Sequence, residues 1–358
     1  YDRAIGFQPD YPAAYLGSAR AQAMTGPPTI PSAFERAIEL DPQMVDAYIY
    51  SALYHSERRH FEKAEEILLS ALEEGVSSPE LLINLSEAEY LLGKYESALK
   101  HAVEGSANDP GSLKGYLVLG RSYTVLGYYH DAISPLQTFL AYEPEDHRAW
   151  AALGESYLNT GSPDLALQAF NTSLGFREYA PAYHGRGDYQ YQQGDFQAAL
   201  NDYFKARQFG PDSPLLTLSI GKSYFHLGNL QDAISEINSM LASTEDQSLR
   251  AEGYAYLGLI FESTDPPFIP DAIANWTYVL GIEESSPELR AMAEEHLQNL
   301  QGDDFTSPTP RPVVTSAVTP IPAVSSPAPT NTATITPTPE PTAVLPPTAT
   351  PTPRGLVP

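Results

Sequence analysis

The 358-residue sequence predicts an all-α protein: a stack of helix–turn–helix units running to about residue 302, followed by a segment too poor in apolar residues to bury a core. Three observations predict it. A small residue recurs at Gly17, Ala52, Ser86, Gly120, Gly154, Gly187, Gly221 and Gly258, in steps of 35, 34, 34, 34, 33, 34 and 37 residues. Around each, apolar residues fall at spacings of three and four, the pattern of a helix with one buried stripe. Fifteen of the 33 prolines lie in the last 56 residues, which hold a single aromatic, Phe305; all 23 tyrosines and both tryptophans precede them.

The elements follow in order. Tyr1–Pro9 reads as the end of a second helix, like Phe34–Pro42 and Tyr203–Pro211, with no first helix before it. Eight or so full units then cover residues 10–286. The clearest runs Tyr116-x-x-Leu119-Gly120-x-x-Tyr123-x-x-x-Gly127, then Tyr129, Ala132, Leu136, Phe139 and Pro144. The next repeats it as Trp150, Leu153, Gly154, Tyr157, Gly161, Ala166, Phe170 and Leu174. In each unit the small residue lets the first helix approach the second closely. Gly127, Gly161, Gly194 and Gly228 end first helices, where a left-handed residue costs glycine least. Pro9, Pro42, Pro110, Pro144 and Pro211 stop second helices. Two units are irregular: Gly26–Pro31 and Asp265–Pro270 replace the short turn, either as plain loop variation or as binding loops. Pro287–Leu300 reads as a first helix with no second after it.

The frame resembles the tetratricopeptide repeat, a 34-residue helix–turn–helix unit. The resemblance implies a right-handed superhelical solenoid over residues 1–302, with a half-repeat at 1–9, about eight repeats at 10–286 and a terminal helix at 287–300. No repeat buries its face alone, so stability is a sum of repeat and nearest-neighbour contributions. The resemblance also implies a groove along the first helices that holds an extended peptide. It places Asn84, Glu87, Tyr90, Arg121, Thr124, Glu155, Asn159, His184, Asp188, Tyr191, Lys222, Phe225, His226 and Tyr256 there. Tyrosines stacking on prolines would suit a polyproline II ligand, and the chain's own tail, from the same or the next subunit, is one. The basic clamp of chaperone-binding members is not matched: Ile83/Glu87, Leu117/Arg121, Ala151/Glu155 and His184/Asp188 occupy its places.

The ends admit two readings. A chain without an initiator Met is expected to be processed or a piece of a longer one, closed behind by a capping helix as is common in the family. Alternatively the half-repeats complete each other between chains. Tyr1, Ile5 and Phe7 of one copy would then pack on Leu289, Met292, Ala293 and Leu297 of the next, and an unclosed head-to-tail contact makes a filament.

The tail, 303–358, carries 13 threonines and 4 serines among its prolines. Its expected form is extended polyproline II at about 3.1 Å per residue, reaching on the order of 150 Å. Such composition reads as an O-glycosylated stalk, with Thr306, Thr309, Thr319, Thr336, Thr338, Thr342, Thr350 and Thr352 as acceptors, or as a bare linker. It resembles the spacers of bacterial surface proteins, which implies an extracellular or cell-surface location.

Composition excludes several chemistries. With no cysteine there is no disulfide framework and no thiol nucleophile. The net charge is −25, of which Asp303, Asp304, Glu340, Arg311 and Arg354 leave −1 on the tail and so −24 on residues 1–302. That balance argues against nucleic-acid or anionic-membrane partners. No apolar run reaches the roughly 18 residues of a membrane span. The eight histidines are scattered, with no metal-binding pair, and no phosphate loop or nucleophile elbow occurs. Asn84, Asn171 and Asn275 open Asn-x-Ser/Thr triplets inside expected helices. No cofactor, metal or catalysis is expected. The leading expectation is a self-assembling extracellular fibre subunit with glycans on its tail. The alternative is a cell-surface or periplasmic scaffold that binds a partner segment in its groove.

Overall fold

The computed structural model describes residues 1–23 and 30–302, and among them only helices and their connections. Helix α1 (Asp2–Phe7) stands alone at the start. Hairpins follow: α2 (Pro12–Ala23) with α3 (Ile30–Leu40), α4 (Val45–Glu57) with α5 (Phe61–Glu73), α6 (Pro79–Leu91) with α7 (Tyr95–Asn108), and α8 (Leu113–Val125) with α9 (Tyr129–Tyr142). Four more pair α10 (His147–Asn159) with α11 (Pro163–Phe176), α12 (Ala180–Gln192) with α13 (Phe196–Phe209), α14 (Pro214–His226) with α15 (Leu230–Ser243), and α16 (Gln247–Ser263) with α17 (Ile269–Gly281). Helix α18 (Pro287–Gln301) ends the array.

Glycine sets the seam inside most hairpins. Phe170 of α11 is fully buried, and a Cβ added to Gly154 of α10 would meet its ring at 2.7 Å. Gly258 stands in the same way 2.6 Å from Trp276, which is also fully buried. Leu136, Tyr203 and Ile237 fill the same place over Gly120, Gly187 and Gly221. Gly17 departs from the pattern, because the ring of Tyr1 rather than a residue of α3 lies against it. The turn glycines Gly127, Gly161, Gly194 and Gly228 have φ of 79°, 77°, 80° and 77°, the left-handed conformation that favours them.

The boundary prolines do more than stop helices. Tyr15, Tyr48 and Tyr116 donate their hydroxyls to the carbonyls of Pro9, Pro42 and Pro110, at 3.0, 3.2 and 3.0 Å. Trp150 Nε1 donates to the Pro144 carbonyl at 2.7 Å. Each bond ties a first helix to the turn just before it. Near Pro211 the same place holds Thr217, which donates to Asp212 Oδ1 at 3.2 Å instead. At the second irregular turn, Phe268 N donates to the Phe261 carbonyl (3.0 Å) and to Thr264 Oγ1 (3.2 Å), so the longer connection is pinned. Of the first irregular stretch, Ile30 and Pro31 open α3 and the rest lies outside the described residues.

Neighbouring first helices pack on one another from α2 through α18; among the described residues no two second helices do. Spacing is therefore shorter on the first-helix side, which becomes the inner side of the array.

The ends correct one expectation. Ala293 and Leu297 are buried within the chain, in one cluster with Ala255, Trp276, Val279 and Leu280. Leu289 packs on the same cluster, which leaves Met292 as the exposed apolar member of that group. The rest of the exposed surface of α18 is mainly polar, including Glu288, Glu295, Gln298 and Asn299, as suits a terminal repeat. At the other end Tyr1 and Phe7 are exposed and Ile5 is half-buried. The threonines from Thr306 to Thr352, and the whole extended tail, lie outside the described residues.

Candidate functional site

Local capping brings the inner face into register. Ser78, Ser112, Asp146, Ser213 and Asp246 each cap a first helix by accepting a backbone N–H three residues on, from Leu81, Gly115, Ala149, Leu216 and Leu249. With starts fixed this way, equivalent places on successive first helices stack along one side.

In the N-terminal part, Lys114 donates to Asn84 Oδ1 at 2.8 Å and pairs with the Glu87 carboxylate. The Arg121 guanidinium lies 4.2 Å over the Tyr90 ring. Two expected groove residues belong elsewhere. Thr124 is buried between α8 and α10, bonded to the Gly120 carbonyl and to Ser156 Oγ, both at 3.0 Å. Asn84 is also buried, its Nδ2 donating to the Glu80 carbonyl at 2.7 Å. The Thr124 hydroxyl serves the packing of helices, whereas Asn84 still offers its Oδ1 to Lys114.

The middle is acidic. Asp188 Oδ1 accepts the Tyr203 hydroxyl at 2.8 Å and lies 3.8 Å from His184 Nε2. His184 also sits edge-on to the Tyr203 ring and 3.5 Å from Ser219 Oγ. Burial, with the Asp188 charge beside it, pushes the Glu155 carboxyl up to about 7. Tyr129, at the start of α9, is raised by burial and then by these two carboxylates. Asn159 is exposed, its Nδ2 donating to the Glu155 carbonyl at 2.9 Å.

The C-terminal part is aromatic. The hydroxyls of Tyr191 (α12) and Tyr256 (α16) meet at 3.2 Å, reaching past α14. Lys222 lies beneath, 5.5 and 5.2 Å from their rings, with Nζ donating to Glu252 at 2.6 Å. Phe196 stacks on His226 at 4.4 Å, and Phe225 stands edge-on to Tyr256 at 5.9 Å. Burial and the Lys222 charge lower His226, so its imidazole is neutral at neutral pH. Phe225, His226, Gly228, Leu230 and Ser263 line a shallow depression beside this cluster.

Lys114, Tyr129, Phe196, Tyr203 and Glu252 join the site without having been placed in the groove from sequence. Phe196 had a signal: Phe61, Tyr95, Tyr129 and Phe196 each open a second helix at the repeat period. Tyr90–Tyr95 and Tyr191–Phe196 are the same contact, 5.3 Å in both. The three Asn-x-Ser/Thr asparagines are helical; Asn275 is buried like Asn84, and Asn171 accepts Arg186 Nη1 at 2.8 Å. Among the described residues no His/Asp/Glu group is arranged to hold a metal, and no helix is long and apolar enough to cross a membrane.

The family model for the tetratricopeptide repeat matches residues 51–112, 117–183 and 184–248. Among solved structures, the APC/C hetero-tetramer Cut9–Hcn1 aligns with a TM-score of 0.59 at 18% identity, over 76% of this chain and 52% of that one. This chain thus spans about half the length of that relative. A tetratricopeptide repeat protein from Parabacteroides merdae aligns at 19% identity and TM-score 0.47, over 71% of this chain and 97% of that one. A thermophilic one from Thermus thermophilus aligns at 21% and 0.44, over 50% and 99%. At these identities the first likeness concerns fold alone. No curated protein matches the sequence.

Proposed function

The chain belongs to the tetratricopeptide repeat family, and from that premise we propose that it is a non-catalytic interaction scaffold holding an extended segment of a partner protein along the inner face of its first helices. One observation carries the reading: Tyr191, Phe225, His226 and Tyr256 cluster on that face while keeping part of their surface in water. Phe170 and Trp276, which fill hairpin seams, are by contrast fully covered. Exposed, rigid rings suit apolar or proline side chains of a bound peptide.

The test is crosslinked capture of partners with the parent chain and with Phe225→Ala and His226→Ala. The helical circular-dichroism signal should be unchanged and a specific partner lost in both variants. Capture that is indifferent to both substitutions sinks the reading.

Fibre assembly, tail glycosylation and an extracellular location rest on the tail's composition and on the two ends. The burial of Ala293 and Leu297 removes part of the surface that assembly would use. Negative-stain imaging and the intact mass of native material test that second reading.

A further inference from the structure

We infer that the partner segment carries an aromatic side chain, phenylalanine, tyrosine or tryptophan, which seats in the depression between the ends of α14 and α16, at the rim of the inner face; this inference rests on the scaffold reading above. The depression exists because one repeat lacks what its neighbour has. In the α12–α13 repeat, Tyr191 near the end of the first helix meets Phe196 at the head of the second, with 5.3 Å between ring centroids. Phe196 then stacks on His226 of the following repeat, 4.4 Å away and 10° from parallel. Two rings thus close the gap between the ends of α12 and α14.

One repeat on, both ring positions change. Leu230 heads α15, two residues after the turn glycine Gly228, as Phe196 stands two residues after Gly194. Ser263 ends α16, five residues after the seam glycine Gly258, as His226 stands five residues after Gly221. Leucine and serine cannot meet as a ring pair. With Phe225, His226 and Gly228 they border an open space of about 480 Å³, within the range that holds a small ligand.

An aromatic side chain from the partner restores there what the preceding repeat builds from its own chain. It meets the Phe225 and His226 rings, themselves 5.2 Å apart, with Leu230 as the aliphatic wall. Rings paired at such distances gain more than their burial alone, which an aliphatic side chain in the same space does not. Charge does not compete for the place: Lys222 is held by Glu252 at 2.6 Å, so the cluster offers no free ion to an acidic or basic side chain. In the Tyr191–Tyr256 pair one hydroxyl donates to the other at 3.2 Å. That leaves one O–H proton unused, suited to a backbone carbonyl of the segment beside its aromatic residue.

The experiment selects peptides from a random phage-displayed library on the full chain and measures the chosen ones, synthesised with a fluorescein label, by fluorescence anisotropy. They are titrated with the parent, with Tyr191→Ala, with Phe225→Ala, and with a double variant, Leu230→Phe and Ser263→His, which rebuilds the ring pair of the preceding repeat inside the depression. The expected result is a fixed phenylalanine, tyrosine or tryptophan in the chosen peptides. Its replacement by leucine, or use of the double variant, should weaken binding about tenfold. The leucine peptide needs no altered protein, so a poorly folding variant does not confound the result. Peptides that depend on Tyr191 or Phe225 but hold no fixed aromatic residue, lose nothing on its exchange for leucine, or bind the double variant as they bind the parent, overturn this inference and leave the scaffold reading standing. Selection that yields no peptide, or only peptides indifferent to both Tyr191→Ala and Phe225→Ala, overturns both.

Discussion

The seam within each hairpin and the inner face of the first helices use the same residue types to opposite ends. At the seam, a ring lies on a glycine and both vanish from solvent, as Phe170 does on Gly154 and Trp276 on Gly258. On the inner face, Tyr191, Phe225 and His226 also meet ring to ring, yet all keep part of their surface in water. Polar groups divide in the same way. Thr124 and Ser156 close on each other inside the stack, whereas Glu155, one residue before Ser156, finds no donor among the described residues. Burial is complete where the two helices of a repeat need each other and incomplete on the inner face, where the proposed partner segment would lie.

The contrast can be broken by substitution. Trp276→Ala should be the most damaging, at about 4 kcal/mol, because it empties a fully buried site shared by α16, α17 and α18. Urea unfolding measures it, and a loss under about 1 kcal/mol would mean that the seam is not what holds the last repeat. Gly154→Ala comes next, at about 2 kcal/mol, since the new methyl must displace the Phe170 ring from 2.7 Å. Glu155→Gln should act in the other direction and depend on pH. In the folded chain its carboxyl titrates near 7, above the ordinary 4.5, so the folded state holds the proton more tightly. That contribution is present in full below about 4.5 and is lost as pH rises through about 7. Glutamine cannot ionise, so the variant should be about 2 kcal/mol more stable than the parent at pH 8, with the difference gone near pH 4. Equal stability at pH 8 would show that the groove does not strain this carboxyl. His226→Ala should change stability least, by under about 0.5 kcal/mol, since the ring is largely exposed; thermal melts check it.

The seam was legible from sequence because its residues repeat. Gly120, Gly154, Gly187, Gly221 and Gly258 mark places where a side chain cannot fit, and period alone exposes them. The turn glycines and boundary prolines were readable for the same reason. The inner face was read only in outline. Counting along each repeat put Tyr191, Lys222 and Tyr256 on one side, but nothing local says that two hydroxyls meet across 65 residues. Counting also placed Thr124 and Asn84 in the groove, but both are buried, Thr124 against Ser156 of the next first helix. One of the two readings of the ends put Ala293 and Leu297 against a neighbouring chain, because no second-helix pattern follows Leu300 in the sequence; Trp276 of the preceding repeat covers them instead.

The bonds from Tyr15, Tyr48, Tyr116 and Trp150 to the proline carbonyls each span six residues. Each of these four boundaries is thus closed within its own unit, although the stacked helices still make specific contacts with the unit before, as Lys114 does with Asn84. Duplication of a whole unit would carry its boundary bond with it. The Tyr191–Tyr256 contact has no such portability: inserting one unit between α12 and α16 would separate its two halves for good. Lengthening the array is compatible with those four boundary bonds and incompatible with the contact between α12 and α16.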